Sequence, residues 1–523
     1  MFIFNRLIGL LKLRVLPRVT EASERATTTL LKSKLASLEA NGHSKVLIEG
    51  MLRTPKNNVE KIIIAAALKL HGFDGFDVIL KHSFLPSDRN YFFYRTLGAK
   101  RFFSLENAFL NPIVILLSLA KTINLFLSVK NKDDILNVKV KGVCIGDLIY
   151  DSIIRENEKV YTVEKLAVTR DFFLVFKSFC FYFYYDRVLS LGDYRYLITS
   201  HKTYVQYGIL CKVAKFKGCD VILKDMNLFK NYKKDIDIEE HIMKPSVDDF
   251  SSCIKDKRHI SESRKYINDR FSGAANDMDI DVLTAFVGKK TYTKEMLLDF
   301  FSINNKKKLC FIMPHAFSDS PHVGTEMIFS DYYDWLVATL ESISRNNNFN
   351  IFIKPHPTSY CWGEDGVVES ILKKNKITNV YIVPDDFNTN SVPFVADLVI
   401  TCQGTIALEA VSFGVPSYTC ASGYYGGFGI TKQFTNKENY INHISTMKNI
   451  ESVDSEKMIS ASCLLYLEIA SRIYSSAVPF EDILPVDDFD IRAKKLWSDI
   501  FCLLNSYEFE SDPLVKRIKE SIH

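Results

Sequence analysis

The sequence predicts an α/β protein built as two Rossmann-like, doubly wound lobes with a cleft between them. Three observations carry that expectation. Short runs rich in Val and Ile recur along the chain, each followed by a turn and a helix-like stretch. The runs lack strict polar alternation, as strands covered on both faces by crossover helices do. They fall into two sets, one per half, and 523 residues are enough for two cores.

The first set of expected strands is Lys45–Glu49, Asp77–Lys81, Lys141–Ile145, Tyr196–Ser200 and Cys219–Lys224. The second is Lys308–Pro314, Asn350–Lys354, Asn379–Val383, Asp397–Thr401 and Pro416–Thr419. The break between the sets falls within 231–305, whose charge-rich part, 231–263, reads as a solvated surface. The expected organisation is a basic, apolar N-terminal segment over 1–40, a first lobe over 41–290, a second over 291–480 and a helical segment over 481–523. In that last segment Ile491, Leu496, Ile500, Leu503 and Leu504 recur at helical spacing.

Composition narrows the class. Lys and Arg exceed Asp and Glu by only 66 − 62 = 4, which leaves no general footprint for nucleic acid. Hydrophobic residues at 47% and a modest 22 Gly and 15 Pro exclude a disordered or collagen-like chain. The 11 Cys are scattered with no C-x-x-C, so reduced thiols and a cytoplasmic setting are expected. Met1–Arg18 places Arg6, Lys12, Arg14 and Arg18 among Phe, Ile and Leu without an acid, a poor secretory signal and a candidate for membrane association. Ala108–Val129 reaches spanning length but carries Lys121, which argues for a packed helix or for contact with the inner membrane face.

Ligands of open parallel sheets sit beyond the carboxyl ends of strands, so those positions hold the candidate site. After Asp397–Thr401 come Gln403, Gly404 and Thr405, then Glu409 one helical turn on. A Gly permits close approach and a hydroxyl at a helix start suits phosphate oxygens. Thr405 reads equally as an N-cap, and Glu409 either reaches ribose hydroxyls or is an exposed helix residue. Lys354 and His356, in Lys354-Pro355-His356-Pro357, stand at another strand end on a restricted backbone. The loop from Pro314 to Thr325 supplies His315, Asp319, His322, Gly324 and Thr325. Its two histidines and carboxylate match no metal site by spacing, so it reads as a polar substrate loop. A Gly-aromatic loop with Tyr425 and Gly426 could close over a base or sugar.

In the first half Asp147, His201 and Asp225 stand at expected strand ends, with Glu49 and Gly50 ending the first strand. Asp147 can take a proton from an attacking hydroxyl or can simply cap its helix.

The second half resembles the nucleotide-sugar lobe of GT-B glycosyltransferases, and more narrowly the bacterial capsule and surface-polysaccharide transferases that include the capsule β-Kdo transferases. The resemblance rests on Lys354-Pro355-His356-Pro357, on Gly404-Thr405 with Leu408-Glu409-Ala410 and Gly414-Val415-Pro416, and on Tyr425-Gly426-Gly427-Phe428-Gly429-Ile430-Thr431. It spans about 308–433; Ile145–Asp151 with Arg155 adds a weaker match in the first half. It implies a nucleotide-sugar held as substrate, with no further cofactor, and a glycan or lipid-linked glycan acceptor against the first lobe; with no Asp-x-Asp pair at a strand end, transfer without a metal is expected. His356 would touch the donor phosphate and the Gly404-Thr405 helix start would support phosphate or base. The implied product is a capsule or lipopolysaccharide O-antigen glycan made at the cytoplasmic face of the inner membrane, beside other polysaccharide assembly proteins. A nucleotide-sugar 2-epimerase-like enzyme and a non-catalytic GT-B scaffold fit the same residues.

Overall fold

The computed structural model describes residues 22–35, 45–52, 54–73, 75–81, 89–225, 227–274, 285–286, 288–479 and 489–522. The basic, apolar segment 1–18 therefore lies outside the described residues. Among the described residues, two six-stranded sheets organise the chain. The first contains β1 (Val46–Glu49), β2 (Phe76–Leu80) and β3 (Phe102–Ser104). A small hairpin, β4 (Lys139–Val140) with β5 (Val143–Cys144), comes next in the chain and stays apart from that sheet. The sheet is completed by β6 (Tyr196–Thr199), β7 (Asp220–Asp225) and β8 (Leu228–Tyr232), in the order β3-β2-β1-β6-β7-β8. All its pairings are parallel except β7 with β8.

The second sheet contains β9 (Lys308–Ile312), β10 (Phe349–Ile353), β11 (Val380–Ile382), β12 (Leu398–Ile400), β13 (Ser417–Thr419) and β14 (Lys432–Gln433). Its order is β11-β10-β9-β12-β13-β14, parallel throughout. Both sheets thus follow the doubly wound order in which the chain reverses direction beside the first strand, leaving a crevice there. The lobes are Rossmann-like, as the unalternating runs imply: β1, β2, β6 and β10 are buried along their whole length.

Two sequence expectations are corrected, and the C-terminal segment is placed. Lys141–Ile145 is no sheet strand. Lys141 and Gly142 take positive φ, 48° and 91°, and close a two-residue hairpin inside the expected run. The helices Val247–Lys255 and Lys257–Ser272, expected with the first lobe, bury Phe250, Ile267 and Phe271 against Ala407, Leu408 and Leu464 of the second. The C-terminal helices Phe489–Asn505 and Pro513–Ile522 return to the first lobe. There Leu496, Trp497, Ile500, Leu514 and Ile518 share a core with Leu31, Ile62, Ile63 and Ile198.

Candidate functional site

The crevice of the second sheet is open. A cavity of about 340 Å³ lies where the segments after β9, β10 and β12 meet, at the topological switch point. Of the residues expected to bind a donor, His315, Asp319, Lys354, His356, Gln403, Gly404, Thr405 and Glu409 line it.

His315 fixes the wall. Its Nε2 accepts the Gln403 backbone N–H at 3.1 Å, joining the β9 and β12 loops, and its ring stacks on Tyr332 at 4.2 Å. Burial, with the nearby His356, pushes the imidazole down to about 3, so it stays neutral and the bond to Nε2 puts its proton on Nδ1. The Gln403 Nε2 donates to the Tyr332 hydroxyl at 2.5 Å, while its Oε1 is buried without a partner. Gly324 makes that placement possible, since a Cβ there would stand 2.3 Å from the Gln403 Oε1.

Lys354 is 5% exposed, and burial, aided by Lys289, pushes its ammonium down to about 7. Next to it, the His356 Nδ1 is engaged by the Thr358 hydroxyl at 2.9 Å. The helix Ile406–Ser412 starts under the cavity. Thr405 precedes it and its hydroxyl makes no capping bond. Glu409 is neither exposed nor idle, since it is buried and bonded to the Arg270 guanidinium at 2.7 Å.

Four expected residues stand behind the wall. Gly324 backs Gln403. The Thr325 carbonyl accepts the Ser422 N–H at 3.0 Å. The Tyr425 hydroxyl donates to the Gly404 carbonyl at 3.1 Å. Gly426 packs so closely on Ser422 that a Cβ would meet it at 2.5 Å.

Sequence reasoning missed His241, Met243, Arg270, Tyr332 and Thr389, all of which line the cavity, as does Tyr424 of the expected Gly-aromatic loop. His241 and Met243 belong to 231–263, read above as solvated surface; His241 is held neutral by burial and packs against Tyr424 at 5.7 Å. The Thr389 Oγ1, like the Gln403 Oε1, is buried without a partner.

At the corresponding point of the first sheet, the described residues form a buried polar cluster. Glu49, at the end of β1, accepts from the Lys61 ammonium at 2.7 Å, the Ser200 hydroxyl at 3.1 Å and the Met51 N–H at 2.5 Å. Lys61 and Glu49 are fully buried, so an ion pair fills the switch point of that lobe. The polar groups of this half gather instead along the helix Gly146–Glu156. Asp147 pairs with Lys212 at 2.6 Å, and Lys212 with Glu239 at 2.6 Å. One turn on, Asp151 bonds the His322 Nδ1 at 2.6 Å and so joins the lobes. These residues, with Lys202 and Thr203, line a small interlobe cavity. His201 and Asp225 form a second group, 3.7 Å apart, with Thr203 on the His201 Nε2 at 3.0 Å. His315, Asp319 and His322 do not converge, and no group of three or more His, Cys, Asp or Glu able to hold a metal is found among the described residues.

Residues 218–467 match the family of capsule polysaccharide biosynthesis proteins. The match takes in the helices 247–272 and most of the second lobe, hence the whole β9–β12 crevice. Among solved structures, the chain is similar to the β-Kdo 2,4-transferase KpsC of Thermosulfurimonas dismutans, at 11% identity over 52% of this chain and 79% of that one, TM-score 0.32. It is also similar to the UDP-GlcNAc 2-epimerase of Methanocaldococcus jannaschii, at 12% identity over 82% and 99%, TM-score 0.26. A third is Anabaena HepE in complex with UDP and glucose, at 10% identity over 92% and 99%, TM-score 0.25. No curated protein matches the chain.

Proposed function

We propose that the chain is a glycosyltransferase that moves a sugar from a nucleotide-activated donor to a growing bacterial surface glycan, of capsule or O-antigen type. The observation that carries this reading is the β9–β12 crevice. It combines a buried lysine, a histidine held between prolines, and two buried polar atoms, the Gln403 Oε1 and the Thr389 Oγ1, that lack partners. Buried polar atoms without partners are costly, and a bound polar ligand would satisfy them. In transfer, the bond from the anomeric carbon to the leaving phosphate breaks and negative charge grows on that phosphate. Lys354, charged once an anion enters, and His356 would stabilise it. The Gly404-Thr405 turn would admit the phosphate, and Arg270 with Glu409 would bound the far side.

The acceptor would lie in the interlobe groove against the first lobe. Asp147 is the proposed base for its hydroxyl, since the Oδ1 is buried without a partner while the Oδ2 is held by Lys212. The His201–Asp225 pair is the second choice.

The test is thermal stability of the purified protein against CMP, UDP, GDP, dTDP and ADP, with and without divalent metal. A selective rise in Tm that is lost in Lys354→Ala and His356→Ala supports the reading. No rise with any nucleotide sinks it. Product formed from a nucleotide-sugar without acceptor would replace transfer by epimerisation, and wild-type transfer by Asp147→Asn would remove Asp147 as base.

A further inference from the structure

The helix Pro112–Ser128 is built inside out. Its inward stripe is Val114, Ser118, Thr122 and Leu125, packed on the helix Val168–Ser190. Two of those four carry hydroxyls, and the Thr122 Oγ1 bonds back to the Ser118 carbonyl at 2.8 Å. The outward face holds the large aliphatics Ile113, Leu116, Leu117, Leu119, Ile123 and Leu127, from 37% exposed at Leu119 to 82% at Leu127. At about 100° per residue they cover an arc of about 160°, interrupted by Asn124. Water-facing helices bury such residues and expose the hydroxyls. The reverse, with small residues inward and aliphatics outward, is how helices pack in lipid.

We propose that this face is a docking surface for a lipid bilayer with anionic headgroups. Charge argues for that occupant. The helix itself carries Lys121 and no carboxylate, and Lys130 and Lys132 follow it, with the next carboxylates at Asp133 and Asp134 beyond the aliphatic face. Lys132 is tied to Glu164 and Asp334, while Lys121 and Lys130 are exposed. Lys121 falls at the edge of the aliphatic arc, where its stem lies along the apolar surface and its ammonium reaches headgroups. The helix does not cross a bilayer. Its 17 residues extend about 25 Å, and no described helix is long and apolar enough to span. One side is already covered by protein, so the helix lies in the membrane plane.

Flotation of the full-length protein with vesicles tests this, comparing phosphatidylcholine alone with a mixture holding 30% phosphatidylglycerol (about 1 lipid in 3 anionic, enough for a negative surface). The wild type should float with the anionic vesicles and much less with neutral ones. The double variant Leu116→Glu/Leu127→Glu should remain at the bottom with an unchanged Tm, because both side chains are exposed. Lys121→Glu/Lys130→Glu should lose the preference for anionic lipid. Failure of the wild type to float, or flotation of Leu116→Glu/Leu127→Glu at the wild-type level, overturns the proposal. So does a dimer in light scattering that Leu116→Glu/Leu127→Glu dissociates, since the face would then be a contact between copies. None of these readouts depends on glycosyl transfer.

Discussion

Lys354 should make ligand binding steeply pH-dependent. Below pH 7 it is an ammonium and above pH 7 an amine, because burial has pushed it down to about 7. An anion entering the crevice restores the charge, so binding takes up a proton and affinity falls as pH rises through 7. At pH 8 we expect about one proton taken up per nucleoside diphosphate, read by calorimetry in buffers of different ionisation heat. Lys354→Met should take up none and bind at least about tenfold more weakly, about 1.4 kcal/mol. A different outcome awaits the buried pair in the first lobe. Lys61→Met strands the Glu49 carboxylate, and a loss of about 3–5 kcal/mol is expected in urea unfolding, largely recovered in Glu49→Leu/Lys61→Met. Lys354 and His356 were legible because the Pro-His-Pro run fixes them at a strand end. Arg270 was not. It sits 139 residues before Glu409, and only the packing of Ile267 and Phe271 onto the second lobe brings the guanidinium to that carboxylate.

At the scale of elements, the helix Gly146–Glu156 depends on its first residue. A Cβ on Gly146 would stand 2.1 Å from the Ile135 carbonyl oxygen and 2.4 Å from that of Leu136, both backbone and unable to swing away. Gly146→Ala should therefore lower stability by about 1–3 kcal/mol or more, seen as a fall in Tm, and loosen the placement of Asp147 and Asp151. The buried central strands were readable from their Val and Ile content. The edges were not. β3 is three residues, Phe-Phe-Ser, β14 is two, and β8 is only partly buried over Leu228–Lys230 and pairs antiparallel at the rim. The hairpin β4–β5 hid within an apolar run because Lys141 at positive φ is no ordinary turn signal, although the neighbouring Gly142 is.

Over the whole molecule, one short region of the first lobe sends three side chains across to the second. Tyr150 donates to Asp331 at 2.5 Å, Asp151 pairs with His322, and Arg155 lies 3.9 Å over the Trp362 ring. Burial alone would lower His322, but Asp151 more than offsets that and holds it up at about 9. The raised value means that the stabilisation is complete below the ordinary histidine range, near pH 6.5, and is lost as pH rises through 9. The Tm difference between wild type and His322→Gln should accordingly shrink between pH 6.5 and pH 9, and a constant difference would exclude an ionic role. The two-lobed plan was legible because each half repeats its own set of strands. The attachment of 247–272 to the second lobe was not, since a charge-rich surface says nothing about which core its few apolar residues enter.

The return of the C-terminal helices to the first lobe has a consequence for how the protein is made. Trp497, Ile500 and Leu514 fill a core with Leu31 and Ile63, residues that leave the ribosome more than 400 positions earlier. The first sheet is complete at Tyr232, yet the nascent lobe must wait for the helices beyond 489 before that apolar layer is sealed. At about 5–20 residues per second the wait is roughly 15–60 s. During that interval the last domain to be synthesised folds as an insertion within the first, and the earliest-made half is the one most in need of a chaperone.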